Sequence, residues 1–468
     1  MAVRIHSTLT GRDDELVPLH PDGALRVYVC GLTPKFHPHV GHARVFVAMD
    51  VVRRYLEYRD YRLKFVQNFT DVDDKIIARA GREGRDAQST ASTYIESYFA
   101  SMDRLRVRRA DEYPTVTGFM ERIVEFVAGL LEDDHAYAID GDVYFAVGTF
   151  PEYGKLSHRD VNAQLVAARK ELEPGKRDPR DFALWKRAKP GEPSWPSPWG
   201  RGRPGWHIEC SAMVRETLGD QIDIHGGGAD LIFPHHENEI AQSESLTGKV
   251  PFARHWAHTG VVTIEGEKMA HSSENFFTID GVLERYTTDE VRLYLTGTHY
   301  RSPLSFVQDG DGRVRGIEDA RAALGRLRRA LGREPLSSLP PGLDQDAVAA
   351  FTAAMDADFN TPDALAVVFD LARALNRARD LGEAPEQIER ARHTIVHLLG
   401  VLGIELSPAD EGEERGSIRP FVELLLDLRR QLREARQWAL ADQVRDRLAA
   451  LGVVVEDKPG GQSDWRLG

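Results

Sequence analysis

Two cysteines, far apart in the chain, are the only ones present, and they constrain it most. Cys30 sits in Tyr28-Val29-Cys30-Gly31, just ahead of His37, His39 and His42. Cys210 closes Gly205-Trp206-His207-Ile208-Glu209-Cys210, ahead of Pro234-His235-His236-Glu237-Asn238-Glu239. His235 and Glu239 stand at i and i+4, so on a helix their side chains share one face. Two thiolates, an imidazole and a carboxylate make a tetrahedral zinc set. A fold that uses them so must bring residues 30, 210 and 235–239 together. The competing reading is two unrelated buried cysteines, each behaving as a small hydrophobe. No CxxC pair decides between the two.

Two cysteines cannot form a disulfide scaffold, so a reducing cytoplasm is the expected compartment. Met1 to Glu15 is polar, without the apolar stretch of a signal peptide. No run approaches the ~18 apolar residues of a membrane span, so no membrane partner is expected. At 468 residues the length predicts two to four domains. The net charge of −13 argues against a general nucleic-acid coat, and DNA is not an expected partner. It leaves room for a local basic groove. Candidates are Arg104 to Arg109 and the arginines from Arg429 to Arg436, although a solvated helix face explains such runs equally well.

Leu25 to Cys30 reads as a buried strand, His42 to Tyr58 as a helix with Val45, Met49, Val52 and Leu56 at helical spacing, and Leu63 to Phe69 as a second strand. Such a strand–helix–strand unit seeds a doubly wound parallel sheet. Short strands are expected at Ile222–Ile224 and Val261–Ile264, and a Pro/Gly/Trp-rich boundary from Lys189 to Gly205. Beyond Phe306 the pattern turns helical, with Thr361 as an N-cap and Pro362 at the first helical position. The acidic stretch Leu406 to Gly416 reads as a linker. The last 50 or so residues then form a small separate module, two helices and a strand at Val453–Val455.

His39-Val40-Gly41-His42 lies between a strand and the helix it feeds. A helix N-terminus suits phosphate, and two histidines flanking a glycine can donate to its oxygens. Alone, this motif is weak, and no GxGxxG supports a dinucleotide.

Taken together, several blocks resemble the cysteinyl-tRNA synthetases, a family of class I aminoacyl-tRNA synthetases. Tyr28 to Gly31 followed by His39 to His42 is similar to the HIGH signature, with Val for Ile. Asn68 to Lys75, Gly205 to Met213, His225 to Gly228, Asp230 and Phe233 to Glu239 resemble further blocks. Lys268-Met269-Ala270-His271-Ser272 occupies the place of KMSKS, His299 to Leu304 follows, Asp358 to Pro362 resembles a stretch of the helical bundle, and Trp438 to Asp457 resembles the anticodon-binding module.

The resemblance implies a Rossmann-type α/β catalytic domain over residues 1–315, with an insertion at about 110–200 and the KMSKS-like loop near 268–272. A helical bundle follows at 316–405 and a small α/β anticodon-binding module at 417–468. It implies one zinc held by Cys30, Cys210, His235 and Glu239, and it selects His235 over His236, which spacing cannot do. The activity implied is ATP-dependent activation of L-cysteine and its transfer to tRNA(Cys), with Mg²⁺ accompanying ATP. Gly31, Thr33, Thr70, Trp206 and Asp230 are the implied substrate-pocket residues. His39, His42, Lys268 and His271 would act on the phosphates, with Gly226 and Gly227 beside the adenylate. Arg433, Trp438, Asp442 and Asp457 would meet tRNA. Trp206 could equally be a core aromatic, and Gly226 to Gly228 a simple turn.

One departure stands out. His271 replaces the second lysine of KMSKS. Lysine is a cation at pH 7, whereas histidine ordinarily titrates near 6.5. It motivates one alternative, a weakened paralogue that binds tRNA without charging it; a resemblance to a related family gives another, a tRNA-independent ligase joining cysteine to an amino sugar, as in mycothiol synthesis. That related family is expected to lack the terminal module that this chain carries.

Overall fold

The computed structural model describes residues 2–159, 176–264, 267–269, 276–332, 334–337, 342–406, 411–457 and 463–467. His271 lies outside them. Two compact units are present, Met1–Glu405 and Leu406–Gly468.

The first unit is organised on strand β1 (Ala24–Leu32), helix α1 (Val40–Tyr58) and strand β2 (Arg62–Phe69). Helix α2 (Ala87–Arg104) packs beside the loop that enters α1. Helix α3 (Trp206–Leu218), strand β3 (Ile222–Gly228), helix α4 (Glu237–Thr247) and strand β4 (Ala253–Thr259) follow the insertion, and helix α5 (Thr288–Thr296) comes after them. The strands form one parallel sheet in the order β4–β3–β1–β2. The chain order reverses beside β1, so loops at the carboxyl ends of β1 and β3 diverge and leave a crevice, the usual ligand position in such sheets.

β1 reads Ala-Leu-Arg-Val-Tyr-Val-Cys-Gly-Leu and buries most of its side chains, as expected of a strand covered on both faces. Gly31 is demanded by the neighbouring strand: a Cβ there would lie 1.7 Å from the Asn68 carbonyl oxygen. The Gly31 amide instead donates to Asn68 Oδ1 at 2.8 Å.

The insertion is a four-stranded antiparallel sheet (Ala136–Ile139, Asp142–Phe145, Phe182–Arg187, Gly202–Pro204) leading into α3. Its Phe145, Phe182 and Trp185 share one core with Cys30 and Trp256 of the central sheet and Cys210 of α3.

Buried Arg44 of α1 donates Nη1 to the carbonyls of Leu295 and Thr298, and Nη2 to those of His299 and Ser302. The C-terminal end of a helix welcomes a cation, and this contact holds the 297–302 loop. Leu304–Ser305 then pairs with Val262–Ile264, which pairs with Glu267–Lys268.

Several local expectations are corrected. Asn360, not Thr361, caps the helix Thr361–Asp380, its side chain accepting from the Asp363 amide, while Thr361 Oγ1 donates to the Thr296 carbonyl. The Arg104 to Arg109 run is no basic groove. Arg104, Arg106, Arg108 and Arg109 pair with Asp280, Asp289, Glu57 and Asp103. Residues 411–416, read as linker, belong to the helix Glu411–Glu434.

The second unit consists of that helix, the helix Trp438–Ala450 and the hairpin Val453–Asp457 with Ser463–Leu467. Its core is Val422, Leu448 and Val453, with Leu426, Val444, Val455 and Trp465 packed against them.

Among the described residues, no helix is long and apolar enough to cross a membrane.

Candidate functional site

A cavity of about 440 Å³ opens at the carboxyl ends of β1 and β3. Cys30, Gly31 and Thr33 come from β1 and its loop, His39, Gly41 and His42 from the start of α1, Trp206 from α3, and Asp230 from beyond β3. Gly260, Val262 and Met269 close the opposite wall.

His39 and His42 stack with ring centroids 3.8 Å apart, and the His39 amide donates to His42 Nδ1 at 3.1 Å. Gly41 makes room for this: a Cβ there would come within 2.8 Å of the His39 ring. Imidazoles and a helix N-terminus thus line one stretch of wall, an arrangement suited to phosphate oxygens.

At the base, Cys30, Cys210, His235 and Glu239 bring one donor atom each within 4.8 Å of one another, all buried. The two sulfurs are 3.7 Å apart. Sulfurs at ~2.3 Å from one tetrahedral ion stand about 3.8 Å from each other. Cys30 Sγ lies 3.5 Å from Glu239 Oε1, and His235 Nε2 lies 3.1 Å from the same oxygen. These are the edges of a tetrahedron of zinc-ligand size. His235 is not on the regular helix: it sits in the irregular turn Ile232–His236 that leads into α4, yet its ring still reaches Glu239.

A second grouping, Cys30, His225, His236 and Glu239, is almost as compact. Its members are in contact too, with His236 Nε2 3.3 Å from Cys30 Sγ. His225 Nε2 lies 2.9 Å from Glu239 Oε2, and His236 Nδ1 lies 2.8 Å from His258 Nε2. Only the first set uses both sulfurs, leaving His225 to orient the far oxygen of Glu239 and His207 to face His235 Nδ1 at 3.0 Å. Partners of this kind hold metal ligands in place.

The electrostatics are those of a concentrated charge cluster. Burial alone would raise the Glu239 pKa, but His225 and His235 outweigh it and bring it down to about 2. Burial alone would lower His235, but Glu239 and Cys210 carry it up to about 10. A hydrogen bond from Cys30 leads the lowering of Cys210 to about 6, while burial pushes Cys30 upward.

The remaining candidates divide. Trp206 lies on the cavity wall, 37% exposed, with its ring 4.4 Å from that of His235. Thr70 is buried behind the wall, its hydroxyl donating to Glu209 Oε2 at 3.0 Å. Gly226 and Gly227 lie buried in β3, and Gly228 reaches the cavity. Lys268 ends the strand Glu267–Lys268, opposite Thr263. In the second unit the Arg433 guanidinium lies 5.9 Å from the exposed Trp438 ring, Asp442 sits 3.8 Å from Arg445, and Asp457 closes the first hairpin strand. Sequence reasoning missed Glu209, His207, His225 and Lys35. The first two lie in the Gly205–Cys210 block, and their adjacency to Cys210 was the available signal.

The chain matches the family described as tRNA synthetases class I (C) catalytic domain over residues 16–311, a DALR domain over 350–407, and a cysteinyl-tRNA ligase anticodon binding domain over 417–466. It is 45% identical to a cysteine–tRNA ligase of Dehalococcoides mccartyi over 99% of this chain and 100% of that one. It is 47% identical to that of Alkalilimnicola ehrlichii over 99% of each. In fold it is similar to Mycobacterium tuberculosis methionyl-tRNA synthetase in complex with methionyl-adenylate, with a TM-score of 0.56, 16% identity and coverage of 82% of this chain and 90% of that one. The LeuRS–tRNA–LeuAMS complex of Agrobacterium radiobacter K84 gives 0.59 at 11% identity, over 83% and 85%. Matched from its first strands to its terminal hairpin, the chain belongs to the cysteine–tRNA ligase family of class I aminoacyl-tRNA synthetases.

Proposed function

We infer that this chain is a cysteine–tRNA ligase that activates L-cysteine with ATP and transfers it to tRNA(Cys). The observation that carries the reading is the buried Cys30, Cys210, His235 and Glu239 cluster, whose Cys30 lines the same cavity as the His39–His42 pair.

In the first step a cysteine carboxylate oxygen bonds to the α-phosphorus of ATP. The α–β P–O bond breaks, and pyrophosphate leaves with the electron pair. His39 and His42 hold phosphate oxygens against the N-terminus of α1, and Lys268 and His271 act on the departing pyrophosphate. ATP arrives with Mg²⁺. In the second step a ribose hydroxyl of the tRNA terminus attacks the acyl carbon and AMP leaves. Such transfers depend on positioning and on charge stabilisation.

Cys30, Cys210, His235 and Glu239 are the residues that would hold zinc. Bound there, zinc supplies a Lewis-acid centre that takes a thiolate and binds a serine hydroxyl poorly. Shape alone separates close analogues by only ~10–200-fold. Gly31, Thr33, Trp206 and Asp230 line the space above this floor, where the substrate's backbone atoms would lie. Thr70 shapes it from behind through Glu209. Arg433 and Trp438 offer a cation and an exposed ring to an unpaired anticodon loop, with Asp442 and Asp457 on the same small unit. A translation enzyme of this kind works in the cytoplasm. The amino-sugar ligase reading has less support, because the terminal residues 417–466 match an anticodon binding domain.

Cysteine-dependent ATP–pyrophosphate exchange followed by charging of tRNA(Cys) tests the reading. Exchange without charging points to the small-amine ligase, and neither activity points to the weakened paralogue.

A further inference from the structure

The charge that position 271 does not provide as lysine has a second source on the cavity wall. Lys35 lies in the loop between β1 and α1, four residues before His39, and lines the same cavity as His39, His42 and Met269. It makes no ion pair among the described residues. Surface lysines are usually solvated, but this one is partly buried. Burial lowers its pKa, neighbouring Lys75 lowers it further, and Asp73 only partly offsets them. A cation in a cleft with no carboxylate at ion-pair distance among the described residues is suited to an anionic ligand.

The loop around it is firmly held. Phe36 packs on Tyr94 of α2, with the Arg79 guanidinium 4.8 Å from its ring centre. His37 Nδ1 lies 2.7 Å from Ser97 Oγ. The Val40 amide donates to the Phe277 carbonyl, and the Ile279 amide to that of Pro38. The loop is therefore stitched both to α2 and to the segment that resumes after the KMSKS-like stretch. Lys35 lines the same cavity as the start of α1 and Met269.

We propose that Lys35 binds the phosphate oxygens of ATP and of departing pyrophosphate, supplying in this chain a lysine ammonium where position 271 carries histidine. This rests on the ligase reading above. A second source of phosphate is the tRNA terminus, and the cavity boundaries favour ATP. A separate basic cleft of about 610 Å³ runs alongside, bordered by Lys186 and Arg203. Lys75 borders both spaces, whereas Lys35 faces only the one with the histidines.

The test is cysteine-dependent pyrophosphate exchange without tRNA, in the wild type, Lys35→Met, Lys35→Arg, His271→Lys and the Lys35→Met/His271→Lys double variant. A charged hydrogen bond to phosphate predicts that Lys35→Met loses about 10- to 100-fold in kcat/KM for ATP. KM for cysteine should not move, and Lys35→Arg should recover most of the loss. His271→Lys should gain more in the Lys35→Met background than in the wild type. Calorimetric titration of a non-hydrolysable ATP analogue should show the same weakening, with the thermal midpoint held. That titration decides the role of Lys35 even if the wild type shows no exchange, which would sink the ligase reading instead. Unchanged ATP binding with reduced tRNA charging would reassign Lys35 to the tRNA phosphate. Unchanged ATP binding and charging, or equal losses for ATP and cysteine, would overturn the proposal outright.

Discussion

His207 and His235 face one another through their Nδ1 atoms, 3.0 Å apart. Burial lowers the His207 pKa well below its ordinary range, so neutral His207 can accept a hydrogen bond from the His235 Nδ1–H. That leaves His235 Nε2 pointing at Glu239 and the sulfurs. His207→Ala removes this constraint without removing a proposed ligand. The expected result is a 10- to 100-fold weaker grip on zinc, read by competition with a chromophoric chelator. Equal affinities would mean that packing, not His207, orients His235.

Gly41→Ala separates stability from chemistry. Alanine is favoured over glycine in a helix by up to about 1 kcal/mol, so the thermal midpoint should hold or rise. The new Cβ would sit 2.8 Å from the His39 ring, which must rotate away. Pyrophosphate exchange should fall by at least ~10-fold if His39 meets phosphate in the transition state. Full exchange in a stable variant would remove His39 from that role.

His255 on β4 is buried, 1% exposed, with neither ring nitrogen hydrogen-bonded. Burial, helped by Arg254 and opposed by Asp14, lowers its pKa from 6.5 to about 4. Above pH 6.5 both folded and unfolded chains hold it neutral, and the shift contributes nothing. Between 6.5 and 4 only the unfolded chain takes up the proton. As the pH drops through this window stability falls by about 1.4 kcal/mol per unit, and the loss reaches about 3 kcal/mol at pH 4. Urea midpoints for His255→Leu should decline less steeply across that window than those of the wild type. Parallel declines would show that His255 is protonated in the folded chain already.

The strand–helix–strand seed was legible because β1 and α1 carry their periods locally. The terminal module was legible too, although residues 411–416 were not read as helix because their glycines and acids look like linker. Long-range pairing was the part that sequence could not show. The Arg104 to Arg109 run looks basic until Asp280, Asp289 and Glu57 arrive from elsewhere in the chain. The i, i+4 spacing of His235 and Glu239 pointed to a shared helix face. They do meet so, at 3.1 Å, and the break from helical backbone falls earlier, at Phe233. Lys35 carried no motif at all, and only the shape of the cavity singles it out.

The two compact units make the division of labour testable. Every described residue lining the cavity lies within Met1–Glu405. Among the described residues, the smaller unit has Val422, Leu448 and Val453 as its core, each worth about 1.5–3 kcal/mol. It offers Trp438, 56% exposed, beside Arg433. A chain ending at Glu405 should keep cysteine-dependent pyrophosphate exchange near the full-length rate. Stacking at ~1–3 kcal/mol per base predicts that it loses charging of tRNA(Cys) by about 100-fold or more. Trp438→Ala in the full-length chain should reproduce part of that loss as a higher KM for tRNA, with exchange untouched. A parallel fall in exchange and charging for both proteins would show that the terminal unit stabilises the fold and does not read tRNA.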